Sequence, residues 1–151
     1  MSDTVGSILR RKGHDVWSVS PDDSVLQAIA LMADRSVGAL VVLEHDEVVG
    51  MISERDYARK VLLQGRSSKD TLVRDIMTGP VVSVSSQHTI DECMRIVSAA
   101  QRIRHLPVVD GGKLVGVVSM GDLVRQLVSI QGETIQYLHE YITGTHTHYR
   151  S

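Results

Sequence analysis

The chain is written twice. Sliding it on itself by 65 residues lays VWSVSPDDSVLQAIALM, from Val16, over VVSVSSQHTIDECMRIV, from Val81, and superposes Ser18 on Ser83, Val19 on Val84 and Ser20 on Ser85. After one inserted residue the offset becomes 66. VGALVVLEHDEVVGMISERDYARKV then lies over IRHLPVVDGGKLVGVVSMGDLVRQL, with Gly50 on Gly116, Ser53 on Ser119 and Asp56 on Asp122. An internal repeat decides architecture before any single element does, because each copy must bury its apolar face against a neighbour. A copy of roughly 50 to 60 residues is too short for a robust independent core, so the two are expected to pack as one pseudo-symmetric module.

Both copies have the same local pattern. A short extended piece, VWSV or VVSV, leads into polar residues and then an apolar set at i, i+4 and i+7: Val25, Ile29, Met32 and Ile90, Met94, Val97. That spacing predicts a helix with one buried stripe. Two β-branched runs follow, ALVVL and VVGMIS in the first copy, LPVVD and KLVGVVS in the second. The EHDE and DGGK spacers read as hairpin turns, with Gly111 and Gly112 supplying positive φ. A second helix then carries Tyr57 and Val61, or Leu123 and Leu127, at i and i+4. The fold class expected is mixed α/β (α+β), each copy β-α-β-β-α. The first copy spans 8–65, a linker with the short helix TLVRDIM spans 66–79, the second copy spans 80–130, and 131–151 forms a C-terminal amphipathic helix and tail.

Composition narrows the function classes. Hydrophobic residues make up 42% and charged residues 23%, as in globular proteins, and the formal charge of −2 gives no broad basic footprint for nucleic acid or an acidic membrane. The longest apolar runs are far shorter than a bilayer span and residues 1–13 lack a signal-peptide core, so a cytoplasmic location is expected. Cys93 is the sole cysteine, which leaves no disulfide or CxxC pair, and its helical position suits a buried structural thiol. Phe is absent and three of the four Tyr follow residue 136, so the core must be aliphatic. No GxSxG, HExxH, P-loop or GxGxxG occurs, and an enzymatic role is not expected. Asp56 and Asp122 occupy equivalent sites, whereas acid/base catalysis needs two carboxylates in unlike roles within one site.

The repeated Gly-x-x-Ser-x-x-Asp frame supports two readings. Ser53 and Ser119 can cap the following helices, with Asp56 and Asp122 favoured at the positive end of the dipole. The same geometry offers backbone N–H groups to a phosphate and a carboxylate to vicinal ribose hydroxyls. The apolar strands before each frame could wall a purine. QRIRHLPVV at 101–109 sets Arg102, Arg104 and His105 beside a buried strand, where phosphate neutralisation would account for them.

With these features the chain resembles the CBS-domain family, specifically a tandem CBS pair or Bateman module, over residues 8–130. RHLPVVD before the second hairpin and the endings GMISERD and GVVSMGD carry the resemblance. It implies two three-stranded sheets flanked by helices, two clefts related by a pseudo-twofold axis, and frequent dimerisation. The ligands it implies are adenosine compounds, namely AMP, ADP, ATP, NAD-type dinucleotides or S-adenosylmethionine, acting as regulators rather than required cofactors. The resemblance places Asp56 and Asp122 on ribose hydroxyls, Ser53 and Ser119 near ribose or phosphate, and Met51 and Val117 on the adenine. Val37, Gly38 and Ala39, and likewise Ile103, Arg104 and His105, are expected to line the opposite copy's cleft, with Arg104 and His105 meeting phosphate. Arg55 is a further phosphate ligand whose counterpart is Gly121, so the clefts are expected to differ in affinity or ligand. Lys12 and His14 are expected to close the Asp122 cleft. Because the pair fills the chain, a stand-alone sensor acting on an unknown regulated protein is expected, the alternative being a dimeric scaffold with empty clefts.

The tail sets Ile135, Leu138 and Ile142 at i, i+3 and i+7, with Tyr137 and Tyr141 beside them, which reads as an amphipathic helix. His139, His146 and His148 with Glu140 have a spacing that chance produces easily, and no metal site is expected.

Overall fold

The structure, a computed structural model, describes residues 3–79, 81–99 and 103–129. The stretch holding Arg102 and the amphipathic tail with its histidines lie outside the described residues.

Two α/β units arise from the repeat. In the first, strand β1 (Ser18–Val19) leads to helix α2 (Val25–Arg35), then to the hairpin β2 (Ala39–Glu44) and β3 (Glu47–Ser53). The sheet order is β1-β2-β3, with β1 parallel and β3 antiparallel to β2. Helix α3 (Glu54–Tyr57) follows and widens into a π-helical turn, Ala58–Leu62. Helix α4 (Val73–Ile76) closes the unit. The second unit repeats this with α5 (Ile90–Ala99), β4 (His105–Asp110), β5 (Lys113–Ser119) and α6 over residues 120–129. One expected strand is reduced: VVSV contributes only a single parallel bridge, Val84 to Val108. The missing rung is the one the first copy makes from the Val41 N–H to the Trp17 carbonyl at 3.2 Å; its counterpart is Pro107, which has no N–H to donate.

Hydrogen bonding follows the repeat closely. Ser24 and Gln27 form a capping box at α2, and Thr89 and Glu92 form its counterpart at α5. Both hairpins slip register at the same place, between Val42 and Leu43 and between Val108 and Val109. Both turns have positive φ at their two central residues. Gly111 and Gly112 adopt it freely in the second, and His45 and Asp46 accept it in the first.

The buried residues form two aliphatic clusters, and their membership crosses the chain order. Helix α1 (Val5–Lys12) lies ahead of β1 of the first copy but contributes Val5, Ile8 and Leu9 to the core of the second, beside Val84, Leu106, Val118 and Leu123. Helix α4 precedes the second copy but places Val73 and Ile76 in the core of the first, with Val25, Leu40, Ile52 and Val61. Each unit is thus completed by the helix ahead of the other copy. This exchange accounts for the glycine of the frame. A Cβ on Gly116 would lie 2.7 Å from Leu9 Cδ2, and one on Gly50 would lie 2.8 Å from Met77 Sδ and 3.0 Å from the Thr78 carbonyl oxygen. Cys93 is buried, and burial followed by the neighbouring Glu92 raises its thiol to about 11, as befits a structural residue.

Candidate functional site

Ser53 ends β3 in extended conformation and caps α3: its Oγ accepts from the Asp56 N–H at 3.1 Å, while Asp56 Oδ2 accepts from the Ser53 N–H at 3.0 Å. Ser119 and Asp122 repeat the box at 3.0 and 2.8 Å. Capping therefore holds both carboxylates at the mouth of a cleft, and their remaining partners decide what each cleft can do.

At Asp56 the second oxygen accepts from the Thr78 hydroxyl at 3.2 Å and from Lys60 Nζ at 3.1 Å. The segment after α4 runs along the outer edge of β3, where Met51 and Thr78 exchange backbone hydrogen bonds of 2.9 and 2.8 Å. Beside this edge opens a cavity of about 590 Å³. The first unit lines it with Gly38, Met51, Ser53, Arg55, Asp56, Arg59 and Lys60, and the second unit closes the far wall with Ile103, Arg104 and His105. The expected crossing of an entrance strand to the other copy's aspartate is present here. Arg55 and Arg59 lie one turn apart on the same face, and neither they nor Arg104 form an ion pair among the described residues. His105 is held below its ordinary pKa first by burial and then by the Lys12 charge; Asp122 and Asp56 oppose this. It therefore stands between the two carboxylates in a neutral state near pH 7.

The Asp122 side is filled differently. Lys12 Nζ, at the end of α1, donates to Asp122 Oδ2 at 2.6 Å and to the Val117 carbonyl at 2.9 Å. Arg125 takes Oδ1 at 2.6 Å. Burial alone would raise this carboxyl, but the Lys12 hydrogen bond, the Ser119 N–H and Arg125 outweigh it and bring the pKa down to about 2. His14 Nδ1 lies 3.3 Å from the Val115 carbonyl, further along the same strand edge. What opens beside Asp122 is a groove of about 220 Å³ between α1 and α6, lined by Ile8, Arg11, Lys12, Asp122, Arg125 and Gln126.

The residues singled out in the sequence thus separate into two groups. Gly38, Met51, Ser53, Arg55, Asp56, Ile103, Arg104 and His105 share the large cavity. Lys12 and Asp122 meet at the small groove. Val117 and Ser119 join them only through the carbonyl and N–H just described. The entrance at 37–39 does not mirror its counterpart. Gly38 faces the cavity of its own copy, Val37 packs against the first core, and Ala39 pairs with Ser53 in the sheet. The reason is size: with no side chains reaching outward from Gly38 and Ala39, the first entrance cannot span to Asp122 as Arg104 and His105 span to the Asp56 cleft. Sequence reasoning missed Arg59, Lys60, Met77, Thr78, Gly79, Val81 and Val82, all of which line the large cavity. Two signals pointed to them. Arg59 follows Arg55 by one helical turn, and Thr78-Gly79 lies on Lys12-Gly13 at the same offset of 66.

An α/β module of two paired repeats with a cleft between them is what these features define, and the chain belongs to the CBS-domain family, as a tandem pair. The CBS-domain profile matches residues 5–63 and 73–129. The mitochondrial CBS domain-containing protein CBSX3 of Arabidopsis thaliana is 39% identical over 95% of this chain and 73% of its own length. A putative signal-transduction protein with CBS domains from Burkholderia ambifaria is 47% identical, with a TM-score of 0.77 over 85% of this chain and 96% of that one. The structure of CBSX2 in complex with AMP is 28% identical, with a TM-score of 0.65 over 85% of this chain and 98% of that one.

Proposed function

We propose that the module senses an adenine nucleotide, AMP, ATP or an NAD-type dinucleotide, in the Asp56 cleft and transmits its occupancy to a partner protein in the cytoplasm without catalysing a reaction. The observation that carries this reading is a carboxylate at the mouth of a roughly 590 Å³ cavity whose far wall comes from the other unit and carries Arg104 and His105. A ribose diol can donate to Asp56 by displacing the neutral Thr78 hydroxyl at 3.2 Å, while Lys60, which also donates to the Ile76 carbonyl at 2.8 Å, stays beside the carboxylate. Arg55, Arg59 and Arg104 then supply charge-assisted bonds to phosphate. AMP in the related CBSX2 structure supports the ligand class. A ligand that touches both units favours one relative arrangement of them, and this differential affinity is what a regulated surface requires.

The competing scaffold reading has an observation of its own: both Ser-x-x-Asp frames form complete capping boxes from the chain's own groups. Calorimetric titration with AMP, ATP, NAD and S-adenosylmethionine separates the two. The sensing reading expects saturable binding to the native chain and its loss in Asp56→Ala, whereas heat-silent titrations with all four would leave the scaffold. Ligand at about 100 times Kd should also stabilise the fold by about 2.7 kcal/mol. Homodimerisation through the helices after each aspartate is part of the same proposal. Leu62 and its repeat partner Val128 are exposed there, as is Leu63 at 78%. Sedimentation of the same samples reads it, and a monomer at every concentration would refute it.

A further inference from the structure

The two clefts share a frame and differ in what approaches them from the segment ahead of the opposite core. Thr78, ahead of Gly79, meets the β3 edge with its backbone and Asp56 with a neutral hydroxyl. Lys12, ahead of Gly13, stands in the corresponding place at the second cleft and meets both the strand carbonyl of Val117 and the Asp122 carboxylate with one ammonium. An ammonium has three donors and can bridge two acceptors at once. Here the bridge runs from the strand to the start of the helix. Helix α1 cannot drift away easily, because Leu9 is packed onto Gly116 and the N–H groups of Val5 and Gly6 bond the carbonyls of His88 and Ser86 at 2.9 and 2.8 Å. The Asp122 side chain is only 9% exposed, against 37% for Lys12. A neutral diol that replaced Lys12 would leave the buried Asp122 carboxylate only Arg125, whose side chain is 73% exposed, whereas at Asp56 a diol can take the place of the Thr78 hydroxyl and leave Lys60 on the carboxylate.

We propose that Lys12 is an internal occupant of the second cleft. Its ammonium holds the acceptor that a ribose diol would take, so the module binds one adenosine ligand per chain, at Asp56, and keeps a second nucleoside site latent at Asp122. The proposal rests on the reading of the Asp56 cleft as a nucleotide site. It differs from a plain stabilising ion pair in one respect: removing the ammonium must create binding, not only reduce stability.

The experiment is a calorimetric titration of the full chain with AMP and with ATP, read as moles bound per chain, on the native protein and on Lys12→Ala, Asp56→Ala and the double variant Lys12→Ala/Asp56→Ala. Lys12→Gln is carried alongside as a milder replacement, and circular dichroism checks that each variant is folded. The native protein should bind one equivalent, Lys12→Ala two, Asp56→Ala none and the double variant one. Addition of Asp122→Ala to the double variant should abolish that last site. Two equivalents on the native chain overturn the proposal, as does a double variant that folds, with alanine or glutamine at position 12, yet binds nothing while the native chain binds one. Absence of binding in every variant overturns the Asp56 reading itself, and is thereby distinguished from failure of the Lys12 proposal alone.

Discussion

The Asp56 and Asp122 clefts begin from the same seven-residue frame and the same capping geometry, yet one opens into a cavity of about 590 Å³ and the other into a groove of about 220 Å³. The Ser-to-Asp capping bonds of the two frames do not differ. Each carboxylate pairs with a cation from the helix that follows it, Lys60 or Arg125; what differs is the residue brought from the segment ahead of the opposite core, a threonine hydroxyl at Asp56 and a lysine at Asp122. The comparison teaches that a repeated motif specifies a site's scaffold, while its availability is set by a few side chains outside the motif.

The largest effect that would break the comparison is expected at the paired glycines. Gly50→Ala pushes a Cβ toward the Thr78 backbone carbonyl as well as Met77, whereas Gly116→Ala meets only the flexible end of Leu9. Urea denaturation should show both variants destabilised, Gly50→Ala by about 3 kcal/mol and Gly116→Ala by about 1–2 kcal/mol, in line with overpacking costs. Equal losses would mean that the two segments yield equally.

A smaller effect should appear on acidification. Asp122 titrates at about 2 in the fold, below its ordinary 3.8, so the stability it contributes is fully present above pH 3.8 and is lost as the pH falls through about 2. The shift corresponds to about 2 kcal/mol. Acid denaturation of Lys12→Ala should therefore have a shallower dependence between pH 4 and pH 2 than the native chain. An unchanged profile would show that Lys12 does not hold the carboxylate down.

The smallest effect concerns the phosphate side of the large cleft. Arg104→Ala should weaken nucleotide binding by about 1.5 kcal/mol, roughly tenfold, and reduce its salt dependence, while leaving stability almost unchanged because Arg104 is exposed and forms no ion pair among the described residues. A loss of stability without a loss of affinity would assign Arg104 to the fold instead.

Much of the fold was legible because its signals are local. The repeat, the helical stripes of Val25 and Met32 or Ile90 and Val97, and the turn at Gly111-Gly112 are all written within a few residues of where they act. The membership of the large cavity was partly legible: Met51, Ser53, Arg55 and Asp56 lie in one short run, and Arg104 and His105 of the 103–105 entrance stand out against an apolar strand. Lys60 and Thr78 were not, since a lysine four residues after an aspartate is an ordinary helical pair and Thr78 sits in a stretch that reads as linker. The 37–39 entrance misled because repeat symmetry was extended to side chains that Gly38 and Ala39 do not have.

By itself, then, the sequence determined the two-copy architecture, the capped helix starts and the position of each carboxylate, since these depend on spacing and backbone preference within one copy. Only the tertiary structure decided that α1 completes the second core and α4 the first, and hence that Lys12 reaches Asp122 across 110 residues while Thr78 reaches Asp56 across 22. Packing made that choice: an amphipathic helix carries no mark of which of two similar aliphatic cores it will cover, and the contacts that seat it, Leu9 against Gly116 and Met77 against Gly50, are made only in the folded module.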